Sequence, residues 1–152
     1  MRRLLLIAAI LGTNLGSVAY ADCTTENVAG TYGYVGFGTI GTSNPFGLPP
    51  GSYSSVGTLA FDGKGNVLIT DTARIGDFFL TPDAKYPSTY TVNAQCVGTL
   101  TVSHFVNIGI PGPHYKLVFV DNLKGVRTIS LIPGWIVNYL TTTRIKSGSQ
   151  EE

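Results

Sequence analysis

The feature of this sequence that most restricts its fold is a succession of short segments rich in β-branched and aromatic residues, separated by glycine, proline and asparagine. Such segments are typical of β-strands bounded by turns. They lie at residues 30–40, 55–61, 67–80, 88–92, 97–106, 115–120, 126–132 and 135–145. No helical periodicity separates them, so successive strands should pair as an antiparallel meander. Eight strands are enough to close a small barrel, and the sequence therefore predicts an all-β, eight-stranded antiparallel up-and-down barrel.

The most regular turn signal is the stretch DGKGN at 62–66, which lies between two apolar segments. A calcium loop of the EF-hand type needs oxygen ligands at its third and fifth positions, glycine at its sixth and glutamate at its twelfth. Here the third position is Lys64, the sixth Val67 and the twelfth Ala73. The two glycines instead supply the positive φ angles that a tight hairpin needs, and we interpret the stretch as a turn.

The connections between the predicted strands differ at the two ends of the barrel. At one end they are short and polar, at residues 62–66, 93–95 and 121–125. At the other end they lie at 41–54, 81–87, 107–114 and 133–134, and the first three are long. The long loops carry the apolar side chains Phe46, Leu48, Tyr86, Ile108 and Ile110. We expect a barrel closed by short turns at one end and open at a mouth formed by long loops at the other.

The first 21 residues have the pattern of a signal peptide. A basic start at 2–3 precedes an apolar run at 4–11 that is too short to span a bilayer, and Ala19-Tyr20-Ala21 is a small-x-small cleavage site. We therefore expect export to the periplasm or the medium, with cleavage near Ala21.

The rest of the chain is expected to be one β-barrel domain at 22–146 and a disordered polar tail at 147–152. Loss of Arg2 and Arg3 with the leader would change the formal net charge from +1 to −1, which leaves no basic excess for binding nucleic acid. The alternative of an outer-membrane barrel is disfavoured because the second, fourth and sixth predicted strands are too short to cross a bilayer. We therefore expect a chain that does not span a membrane, and its oligomeric state is left open.

Both cysteines, Cys23 and Cys96, belong to the part that would be exported. An even count in an oxidising compartment indicates one disulfide, with a redox pair as the alternative, although no C-x-x-C spacing is present. Cys23 precedes the first strand and Cys96 begins the fifth, so both lie at the short-turn end. A disulfide between them would draw the N-terminal segment across that end and seal it.

Three stretches of the chain carry a resemblance to a known group. GTYGY at 30–34, GTLAFDGKGNV at 57–67 and STYTVNAQCVGTL at 88–100 resemble the recurrent pattern of small exported bacterial proteins of unassigned function. The resemblance covers about residues 23–102. It implies a calycin-like or allene-oxide-cyclase-like barrel and an exported protein, and it implies no catalytic residues.

Side-chain alternation points to a polar group inside the barrel. Asp71 shares a strand face with apolar residues of the third segment, His104 with those of the fifth and Arg127 with those of the seventh. If the apolar faces point inward, these three side chains do too, and they should pair or bind a polar ligand. Phe61 and Tyr90 are further candidates to line such a site. The alternatives are that the charged groups face water and that the aromatic rings are ordinary core.

Three functions follow from these features. The first is an exported binding protein for a small apolar or amphipathic ligand held in a barrel open at the long-loop end. The second is a barrel cyclase or isomerase that uses Asp71, His104 and Arg127, although no catalytic motif is present. The third is a surface interaction protein with a filled barrel and an apolar patch around Phe46, Leu48, Ile108 and Ile110. No metal ligands or cofactor are predicted.

The leader is testable by intact-mass measurement. Protein recovered from the exported fraction of a bacterial host should begin at Asp22, because the small side chains of Ala19 and Ala21 fit the peptidase. Changing both to leucine should leave residues 1–21 attached, whereas Tyr20→Leu, at the position between them, should not. Wild-type protein that retains Met1 would contradict the prediction.

Overall fold

A computed structural model describes residues 22–103 and 112–147 of the chain. Its strands are β1 (Gly30–Ile40), β2 (Gly51–Phe61), β3 (Asn66–Ile75), β4 (Phe78–Val92), β5 (Val97–Val102), β6 (His114–Val120), β7 (Gly125–Ser130) and β8 (Trp135–Ser147). Each strand pairs antiparallel with the next, and β8 pairs with β1, so the sheet closes on itself. The predicted eight-stranded up-and-down barrel is therefore confirmed. The described residues contain no helix long and apolar enough to cross a membrane.

The predicted bounds are wrong for the second, third and fourth strands. β2 begins at Gly51, four residues earlier than predicted, and residues 81–87 belong to β4 rather than to a loop. The predicted strand at 67–80 is divided by a turn at Gly76, whose φ of 53° a glycine adopts without steric cost. Apolar residues lie on both sides of this glycine, so the sequence pattern gives no sign of the turn. β2 and β4 have 11 and 15 residues and are no longer too short for a membrane barrel, whereas β6 has seven.

The turns at 62–65, 93–96 and 121–124 lie at one end of the barrel, which we call the floor. The connections at 41–50, 76–77 and 131–134 lie at the other end, the mouth. Asp62 organises the first floor turn, because its carboxylate accepts hydrogen bonds from the backbone N–H groups of Lys64 and Asn66 at 2.7 and 2.9 Å. Gly63 and Gly65 there have φ angles of 76° and 98°, which confirms the interpretation as a turn.

Aromatic rings fill the half of the barrel next to the floor. Phe61 makes edge contacts with Tyr32, Tyr90 and Phe119 at centroid distances of 5.5, 4.8 and 5.3 Å. Such pairs add about 0.5–1.5 kcal/mol each beyond the burial of their area. The Tyr32 hydroxyl lies 3.1 Å from the carbonyl oxygens of Val28 and Leu123, so the only polar atom of this buried ring is satisfied.

The N-terminal segment closes the floor. The predicted disulfide between Cys23 and Cys96 is confirmed, and it ties this segment to the turn between β4 and β5. The Tyr90 hydroxyl donates a hydrogen bond to the carbonyl of Thr25 at 3.0 Å, and Val28 is fully buried. Residues 22–29 therefore lie across the floor, as the positions of the two cysteines indicated.

Replacing both cysteines with serine should lower the free energy of unfolding by about 4 kcal/mol, because the disulfide closes a loop between residues 73 positions apart. Urea unfolding followed by far-UV circular dichroism measures this loss. Reduced wild-type protein is the matched control and should unfold at the same urea concentration as the double variant. A loss below 1 kcal/mol would show that hydrogen bonds and packing alone hold the segment on the floor.

Candidate functional site

A small cavity remains in the half of the barrel next to the mouth. Its volume is about 30 Å³, which is room for one or two water molecules or for a polar group of similar size. It is bounded by Tyr53, Ile69, Asp71, Tyr86, Val102, Pro113, Trp135 and Tyr139. This cavity is therefore too small to enclose a whole apolar ligand.

Asp71 is the one acidic side chain buried among the described residues, with 4% of its surface exposed. Its Oδ2 atom lies 3.3 Å from the hydroxyl of Tyr53, whereas its Oδ1 atom has no hydrogen-bond partner. The buried hydroxyl oxygens of Tyr34 and Ser55 also lack partners. An unsatisfied buried polar atom costs about 1–3 kcal/mol, and these three groups lie near enough for the two hydroxyls to act on the charge of Asp71, so they form one incompletely hydrogen-bonded polar cluster.

The strand register explains why these polar groups meet. Gly57 of β2 pairs with Tyr34 of β1 on one side and with Asp71 of β3 on the other. Because the middle residue is a glycine, no side chain separates the tyrosine from the acid. Two residues along each strand, Gly36 pairs with Ser55, and a Cβ atom on Gly36 would collide with the Ser55 hydroxyl and the ring of Tyr139. Two glycines thus make the space in which the polar groups lie.

Burial controls the ionisation of this cluster. Burial raises the pKa of Asp71, and the hydroxyls of Tyr34, Tyr53 and Ser55 offset part of that rise. Burial also raises the pKa of Tyr34 and of Tyr53, and the negative charge of Asp71 raises both further. The tyrosines are therefore protonated at neutral pH and available as donors, while the carboxylate is held in an environment that disfavours its charge.

A second set of aromatic residues forms the side of the cavity next to the mouth. The indole N–H of Trp135 donates to the Tyr115 hydroxyl at 2.7 Å, and that hydroxyl lies 3.2 Å from the hydroxyl of Tyr139. The Tyr139 ring contacts the Tyr34 ring at a centroid distance of 4.9 Å. Hydrogen bonds therefore hold these rings in place around the acid.

The mouth loop at 41–50 folds inward rather than standing open. Phe46 is buried against Trp135 at a centroid distance of 5.0 Å, and Leu48 is half-buried against the core. Asn44 holds the loop, because its side chain donates to the carbonyls of Gly41 and Leu48 at 2.8 and 2.9 Å. The loop covers the β8 side of the cavity, and the expectation that Phe46 and Leu48 form an exposed patch is wrong.

Arg127 does not line the interior, contrary to the prediction from alternation. Its neighbours Val126 and Thr128 are the inward residues of β7, whereas the side chain of Arg127 is 43% exposed. Its guanidinium donates to the Thr141 carbonyl and lies 4.0 Å from the carboxylate of Asp121. The prediction failed because the outer face of β7 carries apolar residues too, and these were taken for the core face.

The other predicted residues divide among three places. Asp71 lies inside, as predicted, and Tyr86 lies in β4, where it bounds the cavity, rather than in a loop. Phe61 and Tyr90 are buried but belong to the aromatic floor and not to the cavity. His104, Ile108 and Ile110 lie outside the described residues, as does the predicted tail apart from Ser147.

The sequence-based prediction missed the tyrosine and the serine of β2 that face the acid. Tyr53 and Ser55 share the inward face of β2 with Leu59, at the two-residue spacing of a strand. The predicted strand begins at residue 55, so Tyr53 falls in the preceding loop and Ser55 is only the first residue of the strand. Extending the same alternation back to Tyr53 would have found both.

Comparisons with protein-family models, curated proteins and solved structures find no match to this chain.

The variant Asp71→Asn should be more stable than the wild type at pH 7, by about 1–3 kcal/mol, because it removes a charge that lacks a full set of partners. The folded pKa of Asp71 is raised above its ordinary 3.8, so its protonated form stabilises the fold below that pH, and this contribution is lost as pH rises through the folded value. Urea midpoints of the two proteins should therefore converge near pH 3.

The exposed acid Asp77, changed to asparagine, is the matched control, and its urea midpoint should follow that of the wild type at both pH values. A stability difference for Asp71→Asn that is the same at pH 3 and pH 7 would contradict a role for its charge.

Proposed function

We propose that this chain is an exported binding protein that holds a small amphipathic ligand in the half of the barrel next to the mouth. The observation that carries the proposal is the unpaired Oδ1 atom of Asp71, buried on the boundary of a cavity. A buried carboxylate without a donor is costly, and a ligand that supplies the donor removes that cost. The cost of the unpaired carboxylate is paid in the empty protein and removed in the complex, so its removal adds to the free energy of binding.

The site selects the chemistry of the ligand. Asp71 accepts hydrogen bonds, so the bound group is a donor such as an amine or a hydroxyl. The faces of Tyr53, Tyr139 and Trp135 bound the same cavity, and aromatic faces attract an ammonium group. A carboxylate head is disfavoured because it would meet the charge of Asp71 at close range.

The volume of the cavity restricts the shape of the ligand. About 30 Å³ accepts the polar head of a ligand and not its body. Phe46 covers the side of the mouth next to β8, whereas Tyr86 and Pro113 bound the cavity on the other side. The apolar body of the ligand would lie against Tyr86 and Pro113, between β4 and β6. This arrangement differs from a hollow barrel that encloses its whole ligand.

Export is supported by the leader-like pattern of residues 1–21 and by the disulfide, since disulfides persist in oxidising compartments. A barrel cyclase has less support, because Arg127 lies outside the barrel and only Asp71 of the three acid–base candidates is inside among the described residues. An interaction protein is the second candidate, favoured by exposed apolar residues on the outer surface of the barrel.

The test uses the fluorescence of Trp135, which is the single tryptophan of the chain and bounds the cavity. Hexylamine, hexanol and hexanoate share one apolar body and differ in the head group. Hexylamine and hexanol should shift the Trp135 emission saturably, and hexanoate should not. Asp71→Asn should weaken hexylamine binding at least tenfold, because it removes the charge that holds the ammonium group.

Asp77→Asn is the matched control, since it removes an exposed acid at the same end of the barrel, and it should bind hexylamine as the wild type does. Equal affinity for the three probes, or equal affinity of wild type and Asp71→Asn for hexylamine, would overturn the assignment of Asp71 as the recognition group. No saturable response to any probe would favour the interaction protein instead.

A further inference from the structure

The outer surface of the barrel carries a cluster of exposed apolar side chains on four neighbouring strands. Its large side chains are between 46% and 62% exposed: Val35, Phe37, Val56, Ile129, Leu131 and Ile136. The register brings them together, because Val35 of β1 pairs with Val56 of β2, and Thr39 of β1 pairs with Ile136 of β8. β7 lies beside β8, because Arg127 of β7 pairs with Leu140 of β8 and a bridge joins Ile132 to Trp135. Ile129 and Leu131 therefore lie next to the outward residues of β8. We call this the β7–β8–β1–β2 face.

The other side of the barrel is largely polar. The outward residues of β5, of β6 and of β4 from residue 85 on include Lys85, Thr89, Thr91, Thr99, His114 and Lys116, all of them exposed. Further exposed apolar residues are Leu68 of β3, Phe78 and Phe79 at the mouth end of β4, and Ile145 of β8. The six residues of the β7–β8–β1–β2 face therefore contrast with the polar outer surface of β5 and β6.

A bilayer does not fit this distribution. A barrel embedded in lipid is apolar all round its outer surface and polar inside. Here the outer surface of β5 and β6 carries lysine, histidine and threonine, and the interior is packed with apolar and aromatic side chains such as Tyr32, Leu59 and Leu117. Exposed apolar faces of this type are typical of surfaces that contact another protein.

We propose that the β7–β8–β1–β2 face is the contact between two copies of this chain, related by a two-fold axis. Six large side chains at these exposures present roughly 600 Å² of apolar surface, given 150–250 Å² for a whole aromatic ring. A stable interface buries about 800 Å² on each partner and is about 65% apolar in homodimers. The face therefore has the area that each member of such a dimer needs.

Charge also favours a second copy over a charged partner. The ion pairs at the margins of the face are Arg74 with Asp77 towards the mouth and Arg127 with Asp121 towards the floor. Each margin thus carries one positive and one negative side chain, so two copies can meet without placing like charges opposite each other. A strongly acidic or basic partner would gain no electrostatic attraction from these margins. The closed barrel offers no strand edge for pairing, so the copies associate through side chains of this face.

Sedimentation velocity of the full chain from 1 to 200 μM, with its N-terminus verified by mass, tests the proposal. The wild type should sediment as a dimer. Phe37→Lys places an unpaired charge at the centre of the face, twice in a two-fold dimer, and should raise the dissociation constant at least a hundredfold. Thr99→Lys adds the same charge at an exposed outward position of the polar side, and this control should remain a dimer.

Should Phe37→Lys lose the circular dichroism of the folded barrel, Ile129→Lys tests the same face from β7. A monomeric wild type at every concentration, or a dimer that survives both substitutions, would overturn the proposal. A monomer that floats with phosphatidylglycerol vesicles, and fails to do so as Phe37→Lys, would overturn it in favour of a lipid surface.

Discussion

The pairing of β1 with β8 is the constraint on which the rest of this structure depends, because it closes the sheet and leaves no free edge. In a closed barrel every residue of a strand faces either the interior or the surroundings, and alternation along the chain decides which. The choice of which alternate residues face inward therefore determines the aromatic floor, the position of Asp71 and the apolar outer face together. A slip of one residue in β1 would exchange Tyr34 for Val35 and place the ring outside.

The interior is divided into two halves with different chemistry. Next to the floor, each described tyrosine hydroxyl finds a backbone carbonyl, as Tyr32 and Tyr90 do, and the rings pack edge to face. Next to the mouth, the hydroxyl of Tyr34 and one oxygen of Asp71 have no partner. Polar groups that are fully satisfied stabilise a fold, whereas those left unsatisfied store free energy that a ligand can release. This contrast within one barrel supports the proposal of a binding site in the mouth half.

The fold could be predicted from the sequence because its determinants are local. Turn residues such as those at 62–66 and strand propensity set the number and order of strands, and two cysteines in one compartment allow one pairing. The position of Asp71 was predicted because its neighbours on one face of β3 are apolar throughout. The prediction for Arg127 is wrong because alternation gives two sets of residues without saying which faces inward, and the outward set of β7, with Ile129, is no less apolar than the inward set of Val126 and Thr128. Which side of a strand is buried depends on the neighbouring strands.

The same ambiguity in β7 links the error to the outer face. Ile129 is one of the apolar residues that share a strand face with Arg127 and were expected to point inward, yet it is 59% exposed next to β8. A strand with apolar residues on both faces is expected where both faces are covered, as in parallel sheets packed on two sides. In a barrel one face is covered by the interior, so a cover for the second apolar face comes from beyond the strands, and the proposed dimer would supply it. The residues that misled the prediction of the site are therefore those that carry the argument for a second copy.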